Sequence, residues 1–302
     1  IGYHLAKTPG ADQQEILSMF TLAAEQKVAN FVHIRHLGVM MPLEAAQDII
    51  ISSAVTNSPV HIFHLGSTGL WQTKDILKLI DNAKKLGVDV TTEVYPYTAG
   101  SVNIGAPHVD LEIFKKFGFT ASVVEWIETG ERLTREKFID YKKNRPEGAI
   151  AAHIMKDEDV ELAIAHPSVL ISSDTEPMKD GKGHPRAAGT HARILGHYVR
   201  EKQLLPLMSA IEKMTLLPAK RLESVSQQMT KKGRLQLGAD ADITIFDAKT
   251  VIDKATYQKA NFPSEGIIHV IVNGESVVKD SQLIKEAFPG KGVRRFLTLA
   301  ND

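Results

Sequence analysis

Three residues at or near the ends of predicted strands, His33, His64 and Asp174, have the side chains of a zinc site. His33 lies in the apolar run NFVHI, His64 in PVHIFHL, and Asp174 ends VLISSD. Parallel strands of a barrel bring such ends to one pocket, and zinc accepts imidazole nitrogen and carboxylate oxygen. A bound metal would lower the pKa of water towards about 7, and Asp174 could pass the proton to a leaving amine. The sequence predicts a hydrolytic metal site of His33, His64 and Asp174, with Asp174 as the catalytic base.

Each of these residues also has a less specific interpretation. A single histidine on a strand is more often a hydrogen-bonded core residue than a ligand, and the loop after Asp174 could simply be solvated charge. The convergence of three strand ends favours the metal site. The chain has twelve histidines and no cysteine, so disulfides and thiolate ligands are excluded.

A second group, Arg186, Tyr95 and Ser101, has the chemistry of a carboxylate-binding site. Arg186 follows the Asp174 strand, where its guanidinium could form a bidentate pair with a substrate carboxylate. Tyr95 and Ser101 come at and after the end of another predicted strand and would add hydrogen bonds. The alternative for Arg186 is a surface salt bridge.

Alternating strands and helices must position these side chains. Apolar runs predict strands at 30–34, 59–65, 88–95, 149–154 and from 169, and helical spacing predicts helices at 42–55, 73–86, 157–165, 190–201 and 207–222. This alternation indicates an α/β barrel of parallel strands. A charged, helical insertion at about 106–145 interrupts it, as lids often do. We expect the barrel domain over 1–222 and a mainly β domain over 223–302, with turns at 238–240 and 273–274.

Composition excludes several classes of protein. The 302 residues are 43% hydrophobic and 24% charged, with 36 basic and 36 acidic side chains. A net charge of zero provides no overall field for nucleic acid or an anionic membrane. The sequence shows neither a signal peptide nor an apolar run long enough to span a bilayer, so we expect a cytoplasmic protein.

Specific motifs cover nearly the whole chain outside the insertion. They are VHIRH at His33, PVHIFHL at His64, EVYPYTAGS at 93–101, SSD at Asp174, HPRAAGTHARILGHYVRE at 184–201, KMTLLPAKRL at 213–222, and the tail segments GRLQLGADADITIFD and EGIIHVIVNG. Together they resemble the amidohydrolase superfamily and, within it, the N-acyl-D-amino-acid deacylases, or D-aminoacylases. YPYTAGS combined with HPR is far more specific than any single histidine.

The resemblance implies a TIM-like (β/α)8 metallo-hydrolase barrel, of which this chain has the later strands, and a small β-sandwich. His33 and His64 would be zinc ligands from the fifth and sixth strands, and Asp174, on the eighth, the base and acid that could touch the metal. Tyr95, Ser101 and Arg186 would hold the α-carboxylate of an N-acyl-D-amino acid. One or two zinc ions and a mobile insertion over the site are also implied.

Two departures from the family pattern leave alternatives open. Gly66 stands where the family usually has a lysine that contacts the carboxylate, so the substrate could be a cyclic amide or another N-acyl compound. The family's first-strand His-x-His pair and a zinc-ligating cysteine have no counterpart here, and Ile1 falls near the end of the fourth strand. We therefore expect a missing N-terminal half of the barrel, in the same or another chain. Loss of only a short tail, or an incomplete fragment serving as a binding module, is the alternative.

Overall fold

The computed structural model describes residues 11–35, 41–176 and 178–295. The described helices are, in chain order, α1 (Gln13–Glu25), α2 (Pro42–Thr56), α3 (Leu65–Gly69), α4 (Thr73–Lys85), α5 (Leu111–Lys116), α6 (Arg135–Asn144), α7 (Asp157–Ala165), α8 (Arg186–Arg193), α9 (Leu207–Met214) and α10 (Leu216–Glu223). Short 3₁₀ helices span Leu70–Gln72, Ala121–Val123 and Gln227–Lys231, and a π-helix spans Ile194–Glu201. Asp12 begins α1 by accepting a hydrogen bond from the Glu15 N–H at 2.8 Å, as an N-cap carboxylate does.

The strands form separate sheets. In chain order they are β1 (Asn30–Val32), β2 (Val60–Ile62), β3 (Val90–Val94), β4 (Gly100–Asn103), β5 (Val124–Trp126), β6 (Glu131–Arg132), β7 (Ala149–Ala152), β8 (Val169–Ile171), β9 (Ile243–Phe246), β10 (Ile267–Val272), β11 (Glu275–Lys279) and β12 (Gln282–Leu283). Their orders within the sheets are β1-β2-β3-β8, β4-β7-β5-β6 and β12-β11-β10-β9.

The parallel sheet β1-β2-β3-β8 has the two-sided pattern of a barrel wall. Val32 and Ile62 are fully buried on one face, as strands covered by helices require. Successive side chains alternate between faces, so His61, Thr91 and Glu93 share the opposite face. The predicted alternation of parallel strands and helices is confirmed, and the chemistry-bearing residues follow the carboxyl ends of these strands.

The insertion predicted at about 106–145 is built around a small core of its own. Trp126, Phe114, Phe138 and Ile150 are each 3% exposed or less and pack in one apolar cluster. The predicted strand at 149–154 lies here as β7, antiparallel to β4 and β5 instead of in the parallel sheet. Strand β4 was not predicted, because its sequence GSVN contains no apolar run.

The second compact unit comprises 191–254 and the chain from 263 on, while 255–262 belongs to the first unit. In this second unit Ala192 and Leu195 share an apolar cluster with Val251, and the domain boundary at 222 stays a prediction. The predicted hairpin turn at Asn273–Gly274 is confirmed, with both residues at positive φ. None of the helices in the described part of the chain has the length and apolarity to cross a membrane.

Candidate active site

His33 and His64 form a pair at the ends of neighbouring strands. The parallel strands β1 and β2 pair side by side and end shortly before the two residues, whose rings lie 4.5 Å apart in an edge-to-face arrangement. The Nδ1 atom of His33 lies 3.1 Å from the Ile34 carbonyl, and that of His64 lies 3.0 Å from the Ser67 hydroxyl. Such contacts fix the ring of a metal-ligating histidine so that its other nitrogen binds the ion. The pair therefore fits the chemistry of two zinc ligands.

Asp174 is the ion-pair partner of Arg186. Its Oδ2 atom lies 2.7 Å from Nη1 of Arg186, whose Nη2 lies 3.3 Å from Glu176 Oε1. Burial raises the pKa of Asp174 to about 6, although the Arg186 charge lowers it and the charges of Glu176 and Glu93 raise it further. Asp174 has a left-handed backbone at φ 48°, which aspartate tolerates better than most residues.

Arg186 also lies over the ring of Tyr95. Its guanidinium carbon is 4.6 Å from the ring centroid, and its side chain is only 3% exposed. The Tyr95 hydroxyl and Arg186 Nε are both buried and make no hydrogen bond with the described residues. Burial raises the pKa of Tyr95, while the charge of Arg186 and then the nearby Ser67 hydroxyl lower it by less. Buried polar groups normally have partners, so these two atoms mark a place for a polar ligand.

His184 joins Arg186 to the segment that follows Tyr95. Its Nε2 donates to the Ala99 carbonyl at 2.8 Å, and its Nδ1 accepts from the backbone N–H of Arg186 at 3.1 Å. Burial, and then the charge of Arg186, lower the pKa of His184 to about 3, so it stays neutral. Sequence reasoning gave this residue no role, although it begins the HPR motif that ends at Arg186.

The structure does not bring all the predicted site residues together. In residues 11–35, 41–176 and 178–295 no three histidine, aspartate or glutamate side chains are grouped as a metal site, and Asp174 faces Arg186. Ser101 lies in β4 opposite Ala151, one residue beyond Gly100, where an added Cβ would be 3.8 Å from the Tyr95 hydroxyl. The three-ligand zinc site and the role of Ser101 therefore stay predictions.

Two further features surround the site. His61, interpreted from the sequence as a wall residue, is buried and hydrogen bonded to Thr91 at 2.7 Å, and its Nε2 lies 3.1 Å from Glu93 Oε2. Gly66 has no open space beside it, because an added Cβ would lie 3.3 Å from Val94 Cγ2 and 3.5 Å from Met155 Sδ. These neighbours occupy the space into which a side chain at position 66 would begin to extend.

Comparison with known proteins identifies the family of this chain. Residues 67–278 match the family described as the amidohydrolase family. N-acyl-D-glutamate deacylase of Alcaligenes xylosoxydans xylosoxydans is 32% identical over 307 residues, covering 98% of this chain and 61% of that protein. The chain thus spans about three-fifths of the length of this relative.

Two solved structures are similar to this chain in fold. A D-aminoacylase crystal structure has a TM-score of 0.79 at 27% identity, over 95% of this chain and 60% of that one. N-acyl-D-glutamate deacylase from Bordetella bronchiseptica, complexed with zinc and a phosphonate inhibitor, has a TM-score of 0.77 at 27% identity, over 90% and 58% of the two chains. These likenesses confirm the predicted α/β metallo-hydrolase fold, and the chain belongs to the amidohydrolase family.

Proposed function

We propose that this protein catalyses the zinc-dependent hydrolysis of the amide bond of N-acyl-D-amino acids, which releases a D-amino acid and a carboxylate. The observation that carries the proposal is the contact of Arg186 with both Tyr95 and Asp174. A buried cation and a buried hydroxyl without a hydrogen-bond partner among the described residues adjoin a carboxylate of raised pKa. The names of the similar proteins, D-aminoacylase and N-acyl-D-glutamate deacylase, support the same substrate class.

Arg186 and Tyr95 bind the α-carboxylate of the substrate in this proposal. Arg186 provides charge, and Tyr95 donates a hydrogen bond from its hydroxyl, which keeps its proton at neutral pH because burial raises its pKa. Ser101, next to Gly100, adds a hydrogen bond to the same carboxylate. Anchoring the carboxylate fixes the scissile amide relative to Asp174, and such positioning accounts for much of enzymatic catalysis.

Asp174 moves the proton. A pKa of about 6 leaves this carboxylate ionised at neutral pH, yet more basic than an ordinary aspartate. It takes a proton from the attacking water and delivers it to the amine nitrogen, which cannot leave as an anion. Arg186 holds Asp174 in place through its ion pair.

His33 and His64 would hold the zinc, together with Asp174, and the site would take one or two ions. Bound zinc would supply polarisation of the amide carbonyl and a lowered pKa of water. The two adjacent imidazoles, each with Nδ1 in contact with the protein, support this assignment. Two imidazoles are fewer than the three or four ligands of a zinc site, so other groups must complete it.

The complete active site in this proposal includes further barrel strands, from the same polypeptide or from another chain. The chain spans about three-fifths of the D-aminoacylase and N-acyl-D-glutamate deacylase chains that it resembles. A closed barrel leaves no strand edge unpaired, and its strand ends together surround the substrate. Activity is therefore expected of the protein as its gene encodes it, with any partner chain present.

A second candidate substrate is a cyclic amide. Gly66 supplies no carboxylate-binding side chain, and Val94 and Met155 crowd the adjacent space. A site with fewer cations suits a substrate with less negative charge. In this case the same Asp174 would protonate the ring nitrogen as the amide bond opens.

The test is an assay of the purified protein with N-acetyl-D-amino acids, their L-enantiomers and a hydantoin, before and after treatment with a chelator. We expect hydrolysis of the D-enantiomers, loss of activity on chelation and recovery on addition of zinc. Hydrolysis of the hydantoin alone would favour the cyclic amide, and activity that survives complete metal removal would contradict the zinc-dependent mechanism.

A further inference from the structure

Glu176 occupies one side of the cation assigned above to substrate binding. Its Oε1 lies 3.3 Å from Nη2 of Arg186, while Asp174 lies 2.7 Å from Nη1. The guanidinium is only 3% exposed, so few directions of approach are left to it. One positive charge therefore faces two carboxylates that both belong to the chain.

A substrate carboxylate needs much of the same guanidinium surface. A bidentate pair uses two N–H groups of arginine, and the Nε atom is the one that lacks a hydrogen bond to the described residues. If one oxygen of a ligand carboxylate accepts a hydrogen bond from Nε, the second oxygen of that carboxylate lies towards an Nη atom. Both Nη atoms already face carboxylates, so a bound carboxylate must displace one of them.

Glu176 is the carboxylate that can leave at the lower cost. Its side chain is 47% exposed, whereas that of Asp174 is 31% exposed and closer to Arg186. A half-exposed ion pair is worth little, because water solvates the released carboxylate. Its proximity to Asp174 is also repulsive, and moving it away relieves that repulsion.

We propose that Glu176 is a specificity-determining residue, which occupies the place of the substrate carboxylate on Arg186 and is displaced when that carboxylate binds. A ligand without a carboxylate cannot replace Glu176, so Arg186 stays covered. The inference rests on the proposed function in one respect: that Arg186 binds the carboxylate of the substrate. It places the discrimination between charged and neutral ligands in the loop between β8 and α8.

The experiment compares the binding of two probes that cannot be hydrolysed as amides. N-(methylsulfonyl)-D-leucine keeps the carboxylate and replaces the amide by a sulfonamide, and its carboxamide lacks the carboxylate. Calorimetry with both probes is performed on the wild type, on Glu176→Gln and on Asp180→Asn. Asp180 is an exposed residue of the same loop with φ 52°, which asparagine tolerates, so it is a matched control for the loss of one charge.

We expect Glu176→Gln to bind the carboxylate probe about threefold to fivefold more tightly, because a competing half-exposed ion pair is worth up to about 1 kcal/mol. Its affinity for the carboxamide, and both affinities of Asp180→Asn, should equal those of the wild type. Unchanged or weaker carboxylate binding by Glu176→Gln would overturn the inference, as would equal tightening for both probes. Turnover of N-acyl-D-amino acids is assayed separately, so failure of the proposed function is distinguishable from failure of the displacement.

Discussion

Asp174 Oδ2 lies 2.7 Å from Nη1 of Arg186, so the proposed base and the proposed carboxylate clamp are ion-pair partners. In the proposed mechanism this pair couples substrate binding to proton transfer, because the charge that would attract the substrate also holds the proposed base in position. Burial raises the pKa of Asp174 and Arg186 lowers it, and the balance is a pKa of about 6. Neither residue can be replaced without altering the other.

Replacing Arg186 with lysine should weaken substrate binding although the positive charge is retained. Lysine keeps the charge but has neither the planar donor fork nor the stacking surface that faces Tyr95. We expect kcat/KM for an N-acetyl-D-amino acid to fall about tenfold to a hundredfold, mainly through KM. Arg193→Lys, at a pair with Asp253, is the control, and equal kinetics for the two variants would contradict the clamp.

Asp174→Asn should abolish proton transfer while preserving the backbone. Asparagine accepts the left-handed conformation of this residue, so the loop is expected to fold. Loss of a general acid-base group costs about a hundredfold to ten-thousandfold in kcat. Steady-state kinetics would check this, and a variant that retains more than about a tenth of wild-type kcat would exclude Asp174 as the base.

The parallel strands and the histidine pair could be predicted because their signal is local. A buried strand with a polar residue after it, such as His33 or Asp174, indicates where the chain leaves the core. The neighbouring parallel strands β1 and β2 end shortly before His33 and His64, which lie close together. These features follow from short runs of sequence and from the geometry of parallel sheets.

The contacts of Arg186 could not be predicted in the same way. Its pairing with Glu176, its burial against Tyr95 and its anchoring by His184 depend on the path of a polar loop with no periodic pattern. The strand assignment of 149–152 likewise left its antiparallel partners undetermined, because strand pairing is decided by residues distant in the chain.

Gly148 should be indispensable to the core of the insertion. An added Cβ there would lie 1.8 Å from Cη2 of Trp126, which is 1% exposed and cannot move aside freely. We expect Gly148→Ala to lower the free energy of unfolding by about 1–3 kcal/mol, the range for an overpacked core. Urea unfolding would measure the free energy of unfolding of this variant. Gly290→Ala is the control, because an added Cβ there meets no atom within 4 Å. Equal stability of the two variants would contradict this packing.

Replacing His33 with asparagine should reduce zinc retention. The variant loses one imidazole of a closely spaced pair, and we expect at least a tenfold loss of zinc affinity, since even changes around metal ligands cost this much. Elemental analysis after dialysis against a graded series of chelator concentrations would measure it. His197→Asn, at a partly exposed pair with Glu201, is the control, and unchanged zinc content in His33→Asn would remove His33 from the ligand set.

His184 should make the protein less stable as the pH falls below neutrality. Its folded-state pKa of about 3 lies below the ordinary value of 6.5, so between these values the unfolded chain binds a proton that the folded chain does not. The contribution of His184 to stability is complete above pH 6.5 and declines by up to about 1.4 kcal/mol per pH unit down to about pH 3.

His184→Asn isolates this effect. The asparagine oxygen can still accept the Arg186 N–H, as in an Asx turn, but the bond to Ala99 is lost and nothing titrates. The variant should be less stable than the wild type at pH 7, and the difference should narrow steadily from pH 6.5 to pH 4. Urea unfolding at each pH would measure both proteins. A difference that stays constant over this range would mean that His184 does not remain neutral in the folded protein.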